Sequence, residues 1–359
     1  MKLRIKKLQR LVKAENLDYL LVSQLSHIQY LTGFSCTESL DGLVLIGPNS
    51  ADLFTDFRYK DQADSQVKGA RIHIVERNIL KDLVEYKPLQ KVNTKIGFQS
   101  ENMLHGVLSR LSDGLGTAVL IPTADLVEGL AMVKDKDEIA LIKEAVRISD
   151  TAFERILGII KPGVREMELA AELEYQMKML GSEKPSFDTI AASGYRSAMP
   201  HGLASMKKIK KGEFLTFDFG ATYEGYVSDI TRTVVIGKAT SRQKKIYNLV
   251  LKAQLKAINA AKAGMSGAAL DKVARDVIKK GGYGKQFGHG LGHGIGLMVH
   301  EGPRVSPMGK DDLRPGNVVT IEPGIYIPNW GGVRIEDDVV IRRNSCTVLN
   351  KAPKELLEL

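Results

Sequence analysis

Two pairs of carboxylates and a glycine-rich histidine segment are the groups in this 359-residue chain whose types and spacing could do chemistry. Asp218 and Asp229 flank a turn signal in FDFGATYEGYVSD, and Glu322 and Glu336 flank another in IEPGIYIPNWGGVRIE. The alternation of apolar residues around these acids is typical of strands. A carboxylate inside such a run must be paired or bind a metal, so the pattern predicts an oxygen-rich cation site.

The register of each predicted hairpin decides whether its two acids meet. A turn centred between residues 223 and 224 places Asp218 directly opposite Asp229. A second turn centred at Asn329 brings the two glutamates face to face in the same way. Cross-strand neighbours have Cβ atoms about 5 Å apart, and carboxylates that close repel each other unless a cation neutralises them. We therefore predict a metal cage shared by two hairpins.

The histidines cluster in two loops of the same region. His289, His293 and His300 lie in GHGLGHGIGLMVHEGP, and His201 lies in MPHG. Glycines allow the backbone to approach a site closely. Four carboxylates with one imidazole suit Mn, Co, Fe or Zn, whereas a structural zinc site prefers cysteine and histidine. Two such metals that share a water predict metal-assisted hydrolysis.

The elements that position these groups lie in the second of two predicted domains, residues 126–359. This region has two pairs of helical patterns, each broken at a glycine and followed by a histidine-bearing loop and strands. Lys161 and Gly163 of the first pair align with Lys262 and Gly264 of the second, at a constant offset of 101 residues. We predict a duplicated α+β domain whose halves face each other and supply one hairpin each.

The first 125 residues predict a small α/β domain. A basic amphipathic helix near residues 3–16 is followed by short strand patterns alternating with helical ones. The predicted strands are DYLLVS, LVLIG, ADLFTD, ARIHIVE, KIGFQ and AVLIPT. His27, His73 and His105 have no carboxylate or cysteine at a ligand spacing, so no site is predicted in this domain.

Composition argues against several other classes of protein. A chain with 43% hydrophobic and 26% charged residues is typical of soluble globular proteins. No apolar run approaches the roughly 18 residues of a membrane span, and the N-terminus has no secretory signal pattern, so a cytoplasmic protein without a membrane partner is predicted. The net charge of +9 comes without an aromatic stacking platform, and no nucleic-acid partner is predicted. Cys36 and Cys346 are predicted to be reduced thiols.

The motifs together resemble the pita-bread metallopeptidases, which include aminopeptidase P, prolidase and methionine aminopeptidase. FDFG…SDITRT, GHGIGLMVHEGP, TIEPGIY and RIEDD occur in the order of that family. YLTGF and TDFRY are similar to phrases of the creatinase-like N-terminal domain, which methionine aminopeptidases usually lack. The resemblance covers nearly the whole chain. It implies a creatinase-like α/β domain (1–125) followed by a pita-bread, duplicated α+β catalytic domain (126–359).

The same resemblance implies a dinuclear metal site. Mn is the preferred metal, with Co, Zn or Fe as alternatives, and Asp229 and Glu336 bridge the two ions. The implied ligands are Asp218, Asp229, His293, Glu322 and Glu336. All five positions match the family pattern, which disfavours an inactive relative and a creatinase-like hydrolase that works without metals.

Catalytic and substrate-binding roles are also implied by the resemblance. Glu322 accepts the proton of the attacking water, and His300 contacts the substrate carbonyl and stabilises the oxyanion. His201 contacts substrate and shuttles a proton to the leaving nitrogen. The resemblance also makes His289, a pocket histidine, and Arg334, an arginine near the active site, predicted substrate-binding residues.

Two peptidase activities fit these motifs. We expect an Xaa-Pro aminopeptidase, and the alternative is an Xaa-Pro dipeptidase (prolidase), which requires the free carboxylate of proline. Both act on proline-containing peptides, and the resemblance implies a homodimer. A non-catalytic binding protein on the same fold is a more distant hypothesis, which metal-dependent turnover would distinguish.

Overall fold

The computed structural model describes residues 1–38, 40–76 and 78–359, and the described chain divides by its contacts into two units. The first unit is Met1–Ala131 and the second is Met132–Leu359. The domain boundary predicted after residue 125 stays a prediction. No helix in the described ranges is long and apolar enough to cross a membrane.

The first unit is built around a mixed sheet. Its helices α1–α6 are Lys2–Ala14, Leu25–Thr32, Lys60–Gln66, Ile79–Val84, His105–Leu115 and Glu128–Ala131. Its strands β1–β6 are Tyr19–Val22, Gly42–Ile46, Ala51–Asp56, Arg71–Val75, Lys95–Gln99 and Val119–Thr123. The sheet order is β4-β3-β2-β1-β5-β6, with β2 and β3 forming the predicted antiparallel hairpin. The small α/β fold of this region is confirmed.

β2 explains why this sheet forms the core of the first unit. All five of its residues, GLVLI, are buried, as expected for a central strand covered on both faces. Leu43 and Leu45 pack with Leu83 and Leu111 from helices α4 and α5. β1 pairs in parallel with β5, and β5 pairs in parallel with β6. The connections between these strands contain helices, as parallel pairing requires.

Two helix pairs form the duplicated frame of the second unit. Helices α7–α10 are Lys136–Ile156, Glu166–Met179, Ser241–Ala260 and Gly267–Lys280. The first helix of each pair, α7 and α9, begins with a capping box, at Asp135 and Thr240 respectively. The breaks between the helices contain Gly163 (φ 95°) and Gly264 (φ 80°), so the aligned glycines adopt the same left-handed conformation. The predicted repeat is confirmed at this level.

Each helix pair covers its own strands. Strands β7–β18 are Ile190–Ser193, Phe214–Phe219, Thr222–Tyr223, Tyr226–Val227, Ile230–Val235, Gly292–Gly294, Glu301–Val305, Val318–Ile321, Gly324–Ile327, Gly331–Arg334, Asp337–Ile341 and Cys346–Val348. Helices α7 and α8 share an apolar core with the sheet β11-β8-β7. Helices α9 and α10 share another with β14 to β17. The strand faces that point away from these helices can therefore form a site between the two halves.

Candidate metal centre

The first hairpin places Asp218 and Asp229 on neighbouring strands, but the predicted register is wrong. In the β8–β11 ladder, Asp218 pairs with Thr231 rather than with Asp229. The turn explains the difference: Glu224 (φ 46°) and Gly225 (φ 78°) both have positive φ, which is typical of a two-residue type I′ turn. The turn centres between these two residues, one position later than predicted. A pairing shift of two residues keeps each side chain on its face, and both aspartates line one cavity.

The second hairpin has the predicted register. The β14–β17 ladder ends with Ile321 opposite Asp337, and the β15–β16 ladder continues in the same register. This register places Glu322 opposite Glu336, between the two ladders. The chain reverses around Asn329, which has a φ of 61°. Asparagine tolerates that left-handed conformation, so the turn is encoded locally.

The glycine-rich segment forms the short strand β12, which brings His293 among the acids. A Cβ at Gly292 would lie 2.1 Å from the carbonyl oxygen of Thr320, and one at Gly294 would lie 2.1 Å from that of Gly302. Only glycine fits where neighbouring strands pass so closely. The glycines therefore let β12 insert between β13 and β14 with His293 in the middle.

Three of the predicted ligands form one tight cluster: Asp229, His293 and Glu336 each offer an atom within 4.8 Å of the others. His293 Nε2 lies 3.7 Å from Asp229 Oδ2 and 3.6 Å from Glu322 Oε1. The other ring nitrogen, Nδ1, lies 3.2 Å from the carbonyl oxygen of Gly294. Because a carbonyl only accepts, that contact assigns the proton to Nδ1 and leaves a lone pair on Nε2. This tautomer suits metal binding.

The electrostatics of the cluster fit a bound cation. Burial raises the pKa of Asp229 well above its ordinary value, and the charges of Glu336 and Asp218 raise it further. Burial, followed by the charge of Asp218, raises the pKa of Glu336 to about 8. Within the described residues, the buried Oδ1 atoms of Asp218 and Asp229 have no hydrogen-bond partner. Repelling carboxylates with unpaired buried oxygens are the donor set that hard divalent cations prefer.

Arg334 donates hydrogen bonds to several residues in and beside the cluster. Its Nη2 donates to Asp218 Oδ2 at 2.6 Å, and its Nε donates to Thr231 Oγ1 at 2.9 Å. Its Nη1 donates to the hydroxyl of Tyr326 at 2.7 Å, and that hydroxyl lies 2.9 Å from His289 Nε2. The guanidinium therefore positions Asp218 and the hydroxyl groups of Thr231 and Tyr326 directly, and His289 through Tyr326. Because its positive charge lies near the carboxylates of Asp218, Glu322 and Glu336, it also reduces their mutual repulsion.

A cavity of about 740 Å³ opens onto the cluster. The polar side chains in its wall include His201, His289, His300 and Arg304. The rings of His300 and His293 lie 4.3 Å apart between centroids. Burial lowers the pKa of His289 to about 4, so this histidine is neutral near pH 7. All nine site residues predicted from the sequence line this cavity: His201, Asp218, Asp229, His289, His293, His300, Glu322, Arg334 and Glu336. Their individual roles stay predictions.

Sequence reasoning missed Thr231, Arg304 and Tyr326. Thr231 Oγ1 donates to Glu336 Oε2 at 2.6 Å. A correct register would have found Thr231, since it lies opposite Asp218. Arg304, which lines the cavity, and Tyr326, which contacts Arg334 and His289 of its wall, carried no local signal, because nothing in their own strands indicates what they meet.

Family comparisons place these elements among known proteins. A family model described as metallopeptidase family M24 matches residues 140–343. A second model, described as the creatinase/prolidase N-terminal domain, matches residues 4–133. Together the two matches agree with the order of domains that the resemblance implied.

Individual relatives cover the chain almost from end to end. An Xaa-Pro dipeptidase of Pyrococcus horikoshii is 40% identical over 354 residues, covering 99% of this chain and 98% of the relative. Among solved structures, an Xaa-Pro dipeptidase from Bacillus anthracis is 43% identical with a TM-score of 0.94, covering 99% of both chains. An X-Pro aminopeptidase from Thermotoga maritima is 39% identical with a TM-score of 0.90, also covering 99% of both chains.

Proposed function

The chain belongs to metallopeptidase family M24, and on that premise we propose that it is an Xaa-Pro dipeptidase, which hydrolyses the bond before proline in free dipeptides. Relatives named Xaa-Pro dipeptidase support this specificity. They support it better than the Xaa-Pro aminopeptidase activity that the sequence analysis preferred. The metal-dependent peptidase class is common to both activities.

The proposal rests on the position of Arg304 and on the lack of partners for its side chain. Arg304 lines the cavity four residues after His300, and its side chain has no hydrogen bond or ion pair within the described part of the chain. The cavity's other arginine, Arg334, is already committed to Asp218. An unpaired guanidinium in a substrate cavity is suited to a carboxylate, which it can bind through two parallel hydrogen bonds. In a dipeptide that carboxylate belongs to proline, whereas a longer peptide has an uncharged amide there.

The metal site implied by the family fits the residues present. Asp218, Asp229, His293, Glu322 and Glu336 would hold two divalent cations, with manganese as the proposed metal. Such ions supply an activated water and polarise the scissile carbonyl when they are bound. The homodimer and the cytoplasmic location stay predictions.

Four side chains of the protein carry out the other functions in the proposed reaction. Glu322, half-buried beside the cluster, accepts the proton of the attacking water. His300 donates a hydrogen bond to the carbonyl oxygen as negative charge develops on it. His201 carries a proton to the proline nitrogen, which must be protonated before it can leave. Arg304 holds the proline carboxylate, so the scissile bond is oriented from one end.

The test compares three substrates that differ only beyond proline: Ala-Pro, Ala-Pro amide and Ala-Pro-Ala. We expect kcat/KM for Ala-Pro to exceed the other two values by about 10- to 100-fold, the worth of a charge-assisted hydrogen bond. The variant Arg304→Met should remove most of that advantage by raising KM for Ala-Pro, with little effect on Ala-Pro amide.

Equal turnover of Ala-Pro and Ala-Pro-Ala by the wild-type protein would favour the aminopeptidase. The T. maritima relative named X-Pro aminopeptidase makes that activity the second candidate. Arg304→Lys provides a matched control, because it keeps the charge but loses the planar fork, so an intermediate KM is expected.

A further inference from the structure

Asp188 lies in the cavity wall but is not a ligand of the proposed metal site. The acids in that wall are Asp188 and the four predicted ligands Asp218, Asp229, Glu322 and Glu336. Asp188 is exposed, and its side chain makes no hydrogen bond or ion pair within the described residues. An unpaired carboxylate in a substrate cavity is available to a cationic group of the substrate.

The backbone holds Asp188 in place from both sides. Two residues earlier, the amide of Ser186 donates to the carbonyl oxygen of Gly220 at 2.9 Å. Two residues later, Ile190 pairs with Asp218 at the start of β7. Between them Thr189 is buried, with 5% of its surface exposed, so the chain at this point is anchored while Asp188 faces the cavity. A carboxylate on an anchored segment loses little freedom when it binds a ligand.

Asp188 and Arg304 come from different halves of the duplicated unit and line the same cavity. Asp188 precedes β7 in the first half of the duplicated unit, with His201 and Leu203 nearby in the lining. Arg304 lies on β13 in the second half. A dipeptide at neutral pH carries a positive charge on its first residue and a negative charge on proline. An unpaired acid from one half and an unpaired guanidinium from the other match that arrangement and disfavour the reversed orientation.

We propose that Asp188 binds an ammonium group of the residue before proline and so contributes to substrate affinity at that position. The inference rests on the proposed function, because Arg304 must take the proline carboxylate for the other end to face Asp188. The ammonium group is either the α-amine, common to all substrates, or the side chain of a lysine at the first position. In the second case basic first residues are favoured over acidic ones, whereas in the first case Asp188 contributes equally to the binding of every substrate.

The test measures kcat and KM for Ala-Pro, Lys-Pro and Glu-Pro with wild-type protein and Asp188→Asn. If the α-amine is bound, KM rises for all three substrates by about fivefold, near the upper end for an exposed ion pair. If the lysine side chain is bound, KM rises by a similar factor for Lys-Pro alone and falls for Glu-Pro. In both cases kcat changes little. Asp188→Glu should return KM most of the way to the wild-type value, and added salt should reduce the KM difference between wild type and Asp188→Asn.

A matched control is Glu154→Gln, which removes an exposed acid of α7 that is not part of the cavity wall and changes the net charge equally. Its three KM values should stay within about twofold of wild type. The inference is overturned if Asp188→Asn leaves all three KM values as unchanged as this control does. Because wild-type hydrolysis of Ala-Pro is measured in the same series, that result is distinct from a failure of the dipeptidase proposal.

Discussion

Thr231 Oγ1 donates a hydrogen bond to Glu336 Oε2 over 2.6 Å, and this contact joins the two halves of the duplicated unit at the predicted metal site. The same oxygen accepts from Arg334 Nε at 2.9 Å. Thr231 is fully buried, so neither contact can be replaced by bulk water. The hydroxyl therefore fixes the orientation of a carboxylate that the family resemblance makes a bridging ligand.

We predict that Thr231→Val weakens metal binding by about 10- to 100-fold, the usual effect of removing a group that orients a ligand. Valine keeps the shape of threonine but leaves Arg334 Nε and Glu336 Oε2 without this partner. Titration calorimetry with Mn²⁺ on chelator-treated protein measures the change. Thr231→Ser keeps the hydroxyl and should bind metal nearly as the wild type does; equal affinities for all three proteins would contradict the assigned role.

Asp229→Asn and Glu336→Gln should each abolish peptidase activity, with losses of at least about 100-fold, because each removes a predicted bridge between metals. In metal-free protein the same substitutions should raise the thermal midpoint near pH 8, since they remove one of several buried like charges. Scanning calorimetry with and without Mn²⁺ separates the two effects. Near-normal turnover in either variant would refute the cage.

The raised pKa of Glu336, about 8 against an ordinary 4.5, predicts a pH dependence of stability in metal-free protein. The folded state holds this proton more tightly than the unfolded state does. The contribution is therefore fully present below about pH 4.5 and is lost as pH rises towards 8, with a slope of at most about 1.4 kcal/mol per pH unit. Urea unfolding across this range measures it. Glu336→Gln should flatten the curve, and an unchanged slope in that variant would contradict the assignment.

Gly292→Ala should displace β12 and reduce both stability and activity. The added Cβ would lie 2.1 Å from the Thr320 carbonyl oxygen, which is backbone and cannot move aside cheaply. We expect a loss of roughly 3 kcal/mol or more in the free energy of unfolding. Gly288→Ala is the control, because among the described atoms nothing lies within 4 Å of its Cβ position. Similar urea midpoints for the two variants would show that the close approach is not required.

Local patterns predicted much of the fold because their causes are local. The short strand patterns LVLIG and ADLFTD, and the glycine breaks at residues 163 and 264, led to the correct strands and helix ends. The register of the second hairpin was predictable because the turn residue Asn329 marks its centre. The first hairpin was misplaced because Glu224 gave no comparable signal for a positive φ, so Asp218 was paired with the wrong residue.

The sequence by itself determined which acids and histidines could meet, because each lies at a fixed distance from a turn or a glycine in its own segment. Only the tertiary structure decided what surrounds them. Arg304 and Asp188 line the cavity, and Tyr326 contacts Arg334 and His289 of its wall, through pairings between segments far apart in the chain, which local spacing does not encode. The physical reason is that a strand's own alternation specifies which side chains share a face, while the partner strands specify what that face meets.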